Sequence, residues 1–200
     1  MTGRPADPLE PAGYGAIAPG RSQFGPTVDR FDAAADALLE RIRGNGPVDA
    51  LFRIASEAGD FSGVWHVTNL TRGALVRRPD QVIALAVGLG IESLVVNQGV
   101  KRIFRRPRPT MEGDNRTPVR RPSTSSFPSG HASAAAFNAT VLTGWDRRRA
   151  PLWWAIALVV GTSRAHVRIH HASDVVAGAV VGIGFGLLAR RIFRVFGVDR

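Results

Sequence analysis

Residues 81–100 read QVIALAVGLGIESLVVNQGV, and the reading of this stretch decides the fold. Its one charge is Glu92. Twenty residues span about 30 Å as a helix, enough to cross the hydrocarbon core of a bilayer. Three more apolar runs follow it. Residues 129–145 (SGHASAAAFNATVLTGW) are small and alanine-rich, which suits close helix packing. Residues 151–163 (PLWWAIALVVGTS) carry two tryptophans at one end, as an interfacial belt would. Residues 175–189 (VVAGAVVGIGFGLLA) space Gly178, Gly182 and Gly186 one helical turn apart. These runs predict an all-α, membrane-embedded helical bundle with about four spanning helices. A soluble bundle with buried core helices is the competing reading. The arginine clusters flanking the runs and the glycine spacing favour the membrane.

Upstream of this core the chain is more polar. Residues 61–76 and 48–57 predict two short helices, the first with Phe61, Val64, Trp65 and Leu70 as an apolar stripe. His66 on it reads as a surface histidine, and the 48–76 region as a partly immersed hairpin or amphipathic cover. Residues 28–43 predict an amphipathic helix, with Phe31, Ala34, Leu38 and Ile42 at three- and four-residue steps, stopped by Gly44, Gly46 and Pro47. Residues 1–27 are rich in proline and glycine and read as a disordered tail. The tail holds no apolar run of signal-peptide length, so insertion is expected through internal segments. The expected organisation is a tail (1–27), amphipathic helices (28–60) and a membrane helical domain (61–200). A length of 200 residues suits this as one domain.

The formal net charge is +10, and the excess sits in the apolar part of the chain. Such a balance points to an anionic partner: nucleic acid, an anionic membrane surface or a phosphorylated substrate. The absence of cysteine excludes disulfides, thiolate-ligated metals and thiol catalysis. Of 26 Lys and Arg residues, Lys101 is the only lysine. Helix order places the loops 101–128 and 164–174 on one side. The clusters around Arg77, Arg148 and Arg191 then share the other side, which the positive-inside rule makes cytoplasmic.

Three motifs stand at the apolar helix ends. They are Lys101-Arg-Ile-Phe-Arg-Arg-Pro-Arg108-Pro109, Pro128-Ser129-Gly130-His131, and Ser163-Arg164-Ala-His-Val-Arg-Ile-His170-His-Ala-Ser-Asp174. Together they read as a phosphate site. Arg108 and Arg164 offer bidentate donors, and Lys101 offers a compact point charge. Ser129 and Gly130 open a helix whose start favours an anion. His170 and Asp174 are four residues apart, so the carboxylate can orient one ring nitrogen and leave the other as nucleophile. His131, with no carboxylate partner evident in sequence, is left to protonate the leaving oxygen as general acid. This double displacement needs no metal and no cofactor. Taken singly, each motif reads more simply: PSGH as a turn-to-helix start, 101–121 as a solvated basic loop, and His170–His171 as a loop pair.

At these residues the chain resembles the type-2 phosphatidic acid phosphatase superfamily, which includes vanadium haloperoxidases and bacterial acid phosphatases. The family pattern K-x6-R-P, P-S-G-H and S-R-x5-H-x3-D is complete here, and the resemblance covers roughly residues 61–195. It implies an all-α bundle with His170 as nucleophile, Asp174 as its partner and His131 as general acid. Lys101, Arg108, Arg164, Ser129 and Gly130 would bind the phosphate. It further implies a multi-pass protein of the cell membrane acting on lipid phosphates or pyrophosphates at the outer face. Six spanning helices are common in that branch, and this chain shows four. Small bacterial members of this kind look like polyprenyl-linked phosphatases, including those acting on decaprenylphosphoryl-phosphoribose.

The function expected is therefore a lipid phosphatase working through a phosphohistidine, with membrane and lipid phosphate as partners. Two alternatives use the same features. One is an oxidative enzyme that holds vanadate as haloperoxidases do. The other is a non-enzymatic binder of anionic lipid or nucleic acid. Nucleic acid is disfavoured, because the charge clusters at helix ends without interleaved exposed aromatics. Glu92 is expected to be either paired within the bundle or neutral.

Overall fold

The computed structural model describes residues 23–109, 119–120 and 122–198. These residues form seven helices and no strand. In chain order they are α1 (Pro26–Glu40), α2 (Gly46–Ala58), α3 (Gly63–Val76), α4 (Pro79–Ile103), α5 (Gly130–Trp145), α6 (Ala150–His166) and α7 (Ala172–Val195). Short 3-10 turns occupy Asp60–Ser62 and Arg147–Arg149. The tail expected over residues 1–27 lies outside the described residues as far as residue 22. Its last part is not tail: α1 starts at Pro26, whose fixed φ suits a first helical position. The residues that stop the first predicted helix also start the next. Asn45 caps α2 by accepting from the Val48 amide at 3.3 Å, and Pro47 sits in its first turn.

Helix α5 is the axle of the bundle. Every side chain from Ala132 to Leu142 is buried, which accounts for its alanines. Helix α7 lies directly against it. A Cβ added at Gly178 would overlap the Ser129 carbonyl oxygen, and one at Gly182 the Ser133 carbonyl oxygen. The glycine spacing thus sets a backbone-to-backbone approach. Leu85, Leu89, Phe137, Trp153, Val160 and Phe193 close the core from α4, α5, α6 and α7. Helix α1 packs on α6 and α7, α2 on α6, and α3 on α4.

Among the described residues two helices are long and apolar enough to cross a membrane, α4 with 25 residues and α7 with 24. Their apolar windows are only 22% and 28% buried inside the structure. Ile83, Val87, Ile91 and Leu94 on α4 face outward, as do Val176, Val180, Leu187 and Leu188 on α7. Core helices of a soluble bundle would turn such residues inward. The sequence leads to an expectation of four spanning helices, and two meet the requirement. Helix α5 has 16 residues and α6 has 17, so α5 extends about 24 Å. Helix α5 is also enclosed by its neighbours.

The amphipathic α1 is turned inside out. Phe31, Leu38 and the following Ile42 are exposed, whereas Asp32 and Asp36 are buried. Buried arginines hold the acidic face inward. Asp36 pairs with Arg43 at 2.5 Å and Arg168 at 3.2 Å, and Asp32 with Arg106 at 2.6 Å. The stripe expected on residues 61–76 divides likewise: Trp65 is buried, while Phe61 and Leu70 are exposed. His66 is exposed. In the tryptophan pair Trp153 joins the core, and Trp154 remains partly exposed.

The loops after α4 and α6 meet at one end of the bundle. Arg108 Nη1 donates to the Ile169 carbonyl at 3.0 Å, and the Ser129 amide donates to the Asp174 carbonyl at 3.0 Å. At the other end Arg72 stacks over Trp145, and Arg78 donates to the Val198 carbonyl at 2.8 Å.

Candidate active site

Lys101 ends a π-helical segment, Val95–Val100, set within α4. The wider turn re-aims the residue that follows it, and such segments recur at functional sites. Lys101 is buried, and its charged neighbours are Arg108, Arg164, Asp174 and Glu92. Glu92 is itself buried and accepts a very short hydrogen bond from Ser133 Oγ, so it is paired within the bundle.

Arg108 is held in place by backbone oxygens. Its Nε donates to Pro122, Nη1 to Ile169 and Nη2 to Thr124, each at 3.0 Å. Its Nη1 also lies 3.2 Å from His170 Nε2. A guanidinium only donates, so Nε2 presents a lone pair and the His170 proton resides on Nδ1. Nδ1 faces Asp174 Oδ2 at 3.5 Å, an electrostatic contact longer than a tight hydrogen bond. Burial pushes the His170 imidazole down to about 3. Arg108 and Lys101 add to that shift, and Asp174 opposes it. The ring is therefore neutral at physiological pH, with the Nε2 lone pair directed at Arg108.

Asp174 is fully buried and fully engaged. Oδ2 accepts from the His171 amide at 2.9 Å, which caps α7. Oδ1 pairs with Arg106 at 2.5 Å. Arg106 in turn reaches Asp32, which also accepts from Ser173. A chain of contacts thus runs from α1 to His170: Asp32, Arg106, Asp174, His170. The sequence reading missed Arg106 and Asp32. The arginine stood in view within Arg105-Arg106-Pro107-Arg108, but no spacing rule joins it to a carboxylate on α1.

Arg164 is 1% exposed. Its Nη1 donates to Ser56 Oγ in a very short bond, while Nε and Nη2 have no partner among the described residues. Unpaired donors this deeply buried are costly unless an acceptor arrives. Ser129 caps α5 by accepting from the Ala132 amide at 3.4 Å. Gly130 packs against Asn97, whose Oδ1 would lie 2.8 Å from an added Cβ, so packing also requires a glycine there.

His131 has a carboxylate partner after all, and it comes from outside the motifs. Its Nε2 donates to Asp60 Oδ1 at 3.1 Å and to the Ser56 carbonyl at 3.3 Å. That hydrogen bond holds the Asp60 carboxyl below its usual range, with Arg164 and Arg120 adding to the effect. Asp60 precedes the first core helix and leaves no spacing signal in the sequence.

The structure therefore brings Lys101, Arg108, Arg164, His170 and Asp174 together at one end of the bundle. Ser129 and Gly130 start the central helix beside them, and His131 adjoins Arg164. Two buried cations, Lys101 and Arg164, and the half-buried Arg108 gather where the nearby carboxylates already have partners, an arrangement that suits a phosphate dianion. Among the described residues no cluster of His, Asp and Glu has metal-site geometry.

Known structures share this fold. A transmembrane PAP2-type phosphatidylglycerolphosphate phosphatase from Bacillus subtilis superposes with a TM-score of 0.68 at 22% identity. That match covers 86% of this chain and 88% of the other. LpxE from Aquifex aeolicus gives 0.65 at 24% identity, over 80% of this chain and 95% of the other. No curated protein matches. The family model of the PAP2 superfamily matches residues 81–197, from the start of α4 to just beyond α7 and across all three motifs. With more than half its length in that match and its helices in the same arrangement, this chain belongs to the PAP2 superfamily.

Proposed function

We propose that this protein is a membrane lipid phosphatase that hydrolyses a lipid phosphomonoester or pyrophosphate through a phosphohistidine intermediate. The observation that carries the reading is the neutral, lone-pair-bearing His170 Nε2 beside the half-buried Arg108 and the buried Lys101 and Arg164. In this reading Lys101, Arg108 and Arg164 bind the phosphoryl oxygens, aided by Ser129 and the Gly130 amide. His170 Nε2 attacks phosphorus while His131 gives a proton to the departing oxygen. Water then attacks phosphorus, His131 takes its proton, and the P–N bond breaks to release phosphate. Asp174 keeps the His170 proton on Nδ1 throughout. No step calls on a metal.

The outward apolar faces of α4 and α7 support a multi-pass membrane location, with a lipid substrate arriving from the bilayer. The arginines gathered at the end away from the site support an extracytoplasmic active site. The candidate substrates are phosphatidate-like lipids and polyprenyl-linked phosphates, including the decaprenylphosphoryl-phosphoribose type.

The test is phosphate release by detergent-solubilised protein from a panel of these lipids in EDTA, with His170→Ala alongside. Release that persists in EDTA and falls to background in the variant is the expected result. Release that survives in His170→Ala would sink the mechanism.

A further inference from the structure

The match to the family begins on α4, so the turn that carries Asp60 lies outside it. That turn is built at a cost. Phe61 and Ser62 adopt φ of 51° and 60°, left-handed conformations that side-chain-bearing residues rarely take. Such strain persists where the surroundings over-determine it, and it gathers at functional sites. Here it delivers one carboxylate to one imidazole. Gly59 makes room for it: an added Cβ would stand 2.6 Å from His131 Cδ2 and 3.2 Å from Nε2. The turn therefore lies flat on the edge of the ring.

Two acceptors, Asp60 Oδ1 and the Ser56 carbonyl, converge on His131 Nε2. That nitrogen carries a hydrogen in either protonation state. A proton to be given away must then leave from Nδ1. We infer that Asp60 is the positioning residue of His131, holding its Nε2–H so that Nδ1 delivers the proton to the leaving oxygen. This rests on the phosphatase reading above and assigns the atom and its support. As the P–O bond breaks, the Nδ1 proton passes to the leaving oxygen and the imidazolium becomes neutral. When water attacks the phosphohistidine, its proton returns to Nδ1. Asp60 stays ionised in both steps and stabilises the imidazolium between them.

The charged groups facing this pair are few. Arg164 on α6 lies 3.9 Å from Asp60 Oδ1, and Arg120 acts on Asp60 from the segment after α4. Burial and, after it, Arg164 disfavour a charged His131, and the Asp60 carboxylate, helped by the Ser56 carbonyl, opposes them. Neutralising it lowers the proton affinity of His131. The alkaline limb of the rate profile, where the acid is lost, then moves to lower pH.

The experiment compares wild type, Asp60→Asn, Asp60→Glu and His131→Ala in detergent. The substrates are an alkyl phosphate, dodecyl phosphate, and an aryl phosphate, p-nitrophenyl phosphate. An alkoxide needs protonation to depart, whereas a nitrophenolate does not. Asp60→Asn is expected to reduce dodecyl phosphate kcat roughly 10- to 100-fold, with a much smaller loss on the aryl substrate. Its alkaline limb should move down by about one pH unit, and Asp60→Glu should recover part of the rate. Equal losses on both substrates with an unmoved limb would show that Asp60 only holds the fold together. Wild-type rates in Asp60→Asn would overturn the inference outright. If His131→Ala shows the leaving-group dependence and Asp60→Asn does not, Asp60 fails and the phosphatase reading stands. If His131→Ala lacks it, or wild type cleaves neither substrate, the reading and this inference fall together.

Discussion

The burial that keeps His170 neutral is a burden on folding in acid. An unfolded chain protonates this histidine below about pH 6.5, while the folded protein resists until about pH 3. Protons then favour the unfolded state, and stability falls as pH drops through that window. Melting temperature measured from pH 7 to pH 4 is expected to decline, and His170→Asn should flatten the decline. An equal slope in both proteins would show that other groups set it. The lone lysine invites a similar test. Lys101 is buried among Arg108, Arg164 and Asp174, and Lys101→Arg replaces its compact point charge with a flat, broader guanidinium. A loss of about tenfold or more in kcat/KM is expected, and wild-type kinetics would make the lysine incidental. Asp32 sits further from the chemistry. Asp32→Ala strips one carboxylate from a buried Arg106 and should cost roughly 3 kcal/mol of stability in a denaturation series.

At the scale of the element, much of the fold was legible, because helices advertise themselves locally. The apolar runs, the Pro and Gly punctuation and the glycine spacing all depend on neighbours within a turn or two, and they mark the helices to within a few residues. The same holds for His170 and Asp174, joined by one helical turn. Asp60, Asp32 and Arg106 were not legible as partners. Their contacts cross between elements distant in sequence, and a carboxylate four turns or a hundred residues away leaves no periodic trace. The π segment before Lys101 was equally hidden, since VVNQGV carries nothing to distinguish it from regular helix. The inverted face of α1 misled for a different reason. Periodicity reveals that a helix has two faces, but the arginines elsewhere decide which one turns inward. The glycine contact is the sharpest test here. Gly182→Val pushes two methyl groups into the Ser133 backbone, and a loss of about 3 kcal/mol or failure to fold is expected. Gly184→Val, where an added Cβ meets nothing within 4 Å, should be tolerated by comparison.

For the whole molecule, the outward apolar residues of α4 and α7 define how it meets its surroundings. Membranes containing the protein, washed in alkaline carbonate, are expected to retain it, as integral proteins are retained. Release into the wash would mean a peripheral attachment through the exposed faces of α1 and α3. The charge distribution belongs to this scale as well. Lys101, Arg108 and Arg164 gather with His170 at the site end, whereas Arg72 and Arg78 at the far end lie against Trp145 and Val198.

The contact between α5 and α7 has one more consequence. His131 starts one of these helices and Asp174 the other, and glycine removes any compressible side chain from between them. The two pack as a single unit, which fixes the spacing between His131 and Asp174. The segments outside that pair are held less tightly: the turn at Asp60–Ser62 and the loop whose carbonyls hold Arg108. Amide exchange should accordingly be slowest along α5 and the facing side of α7, and fastest in those two segments.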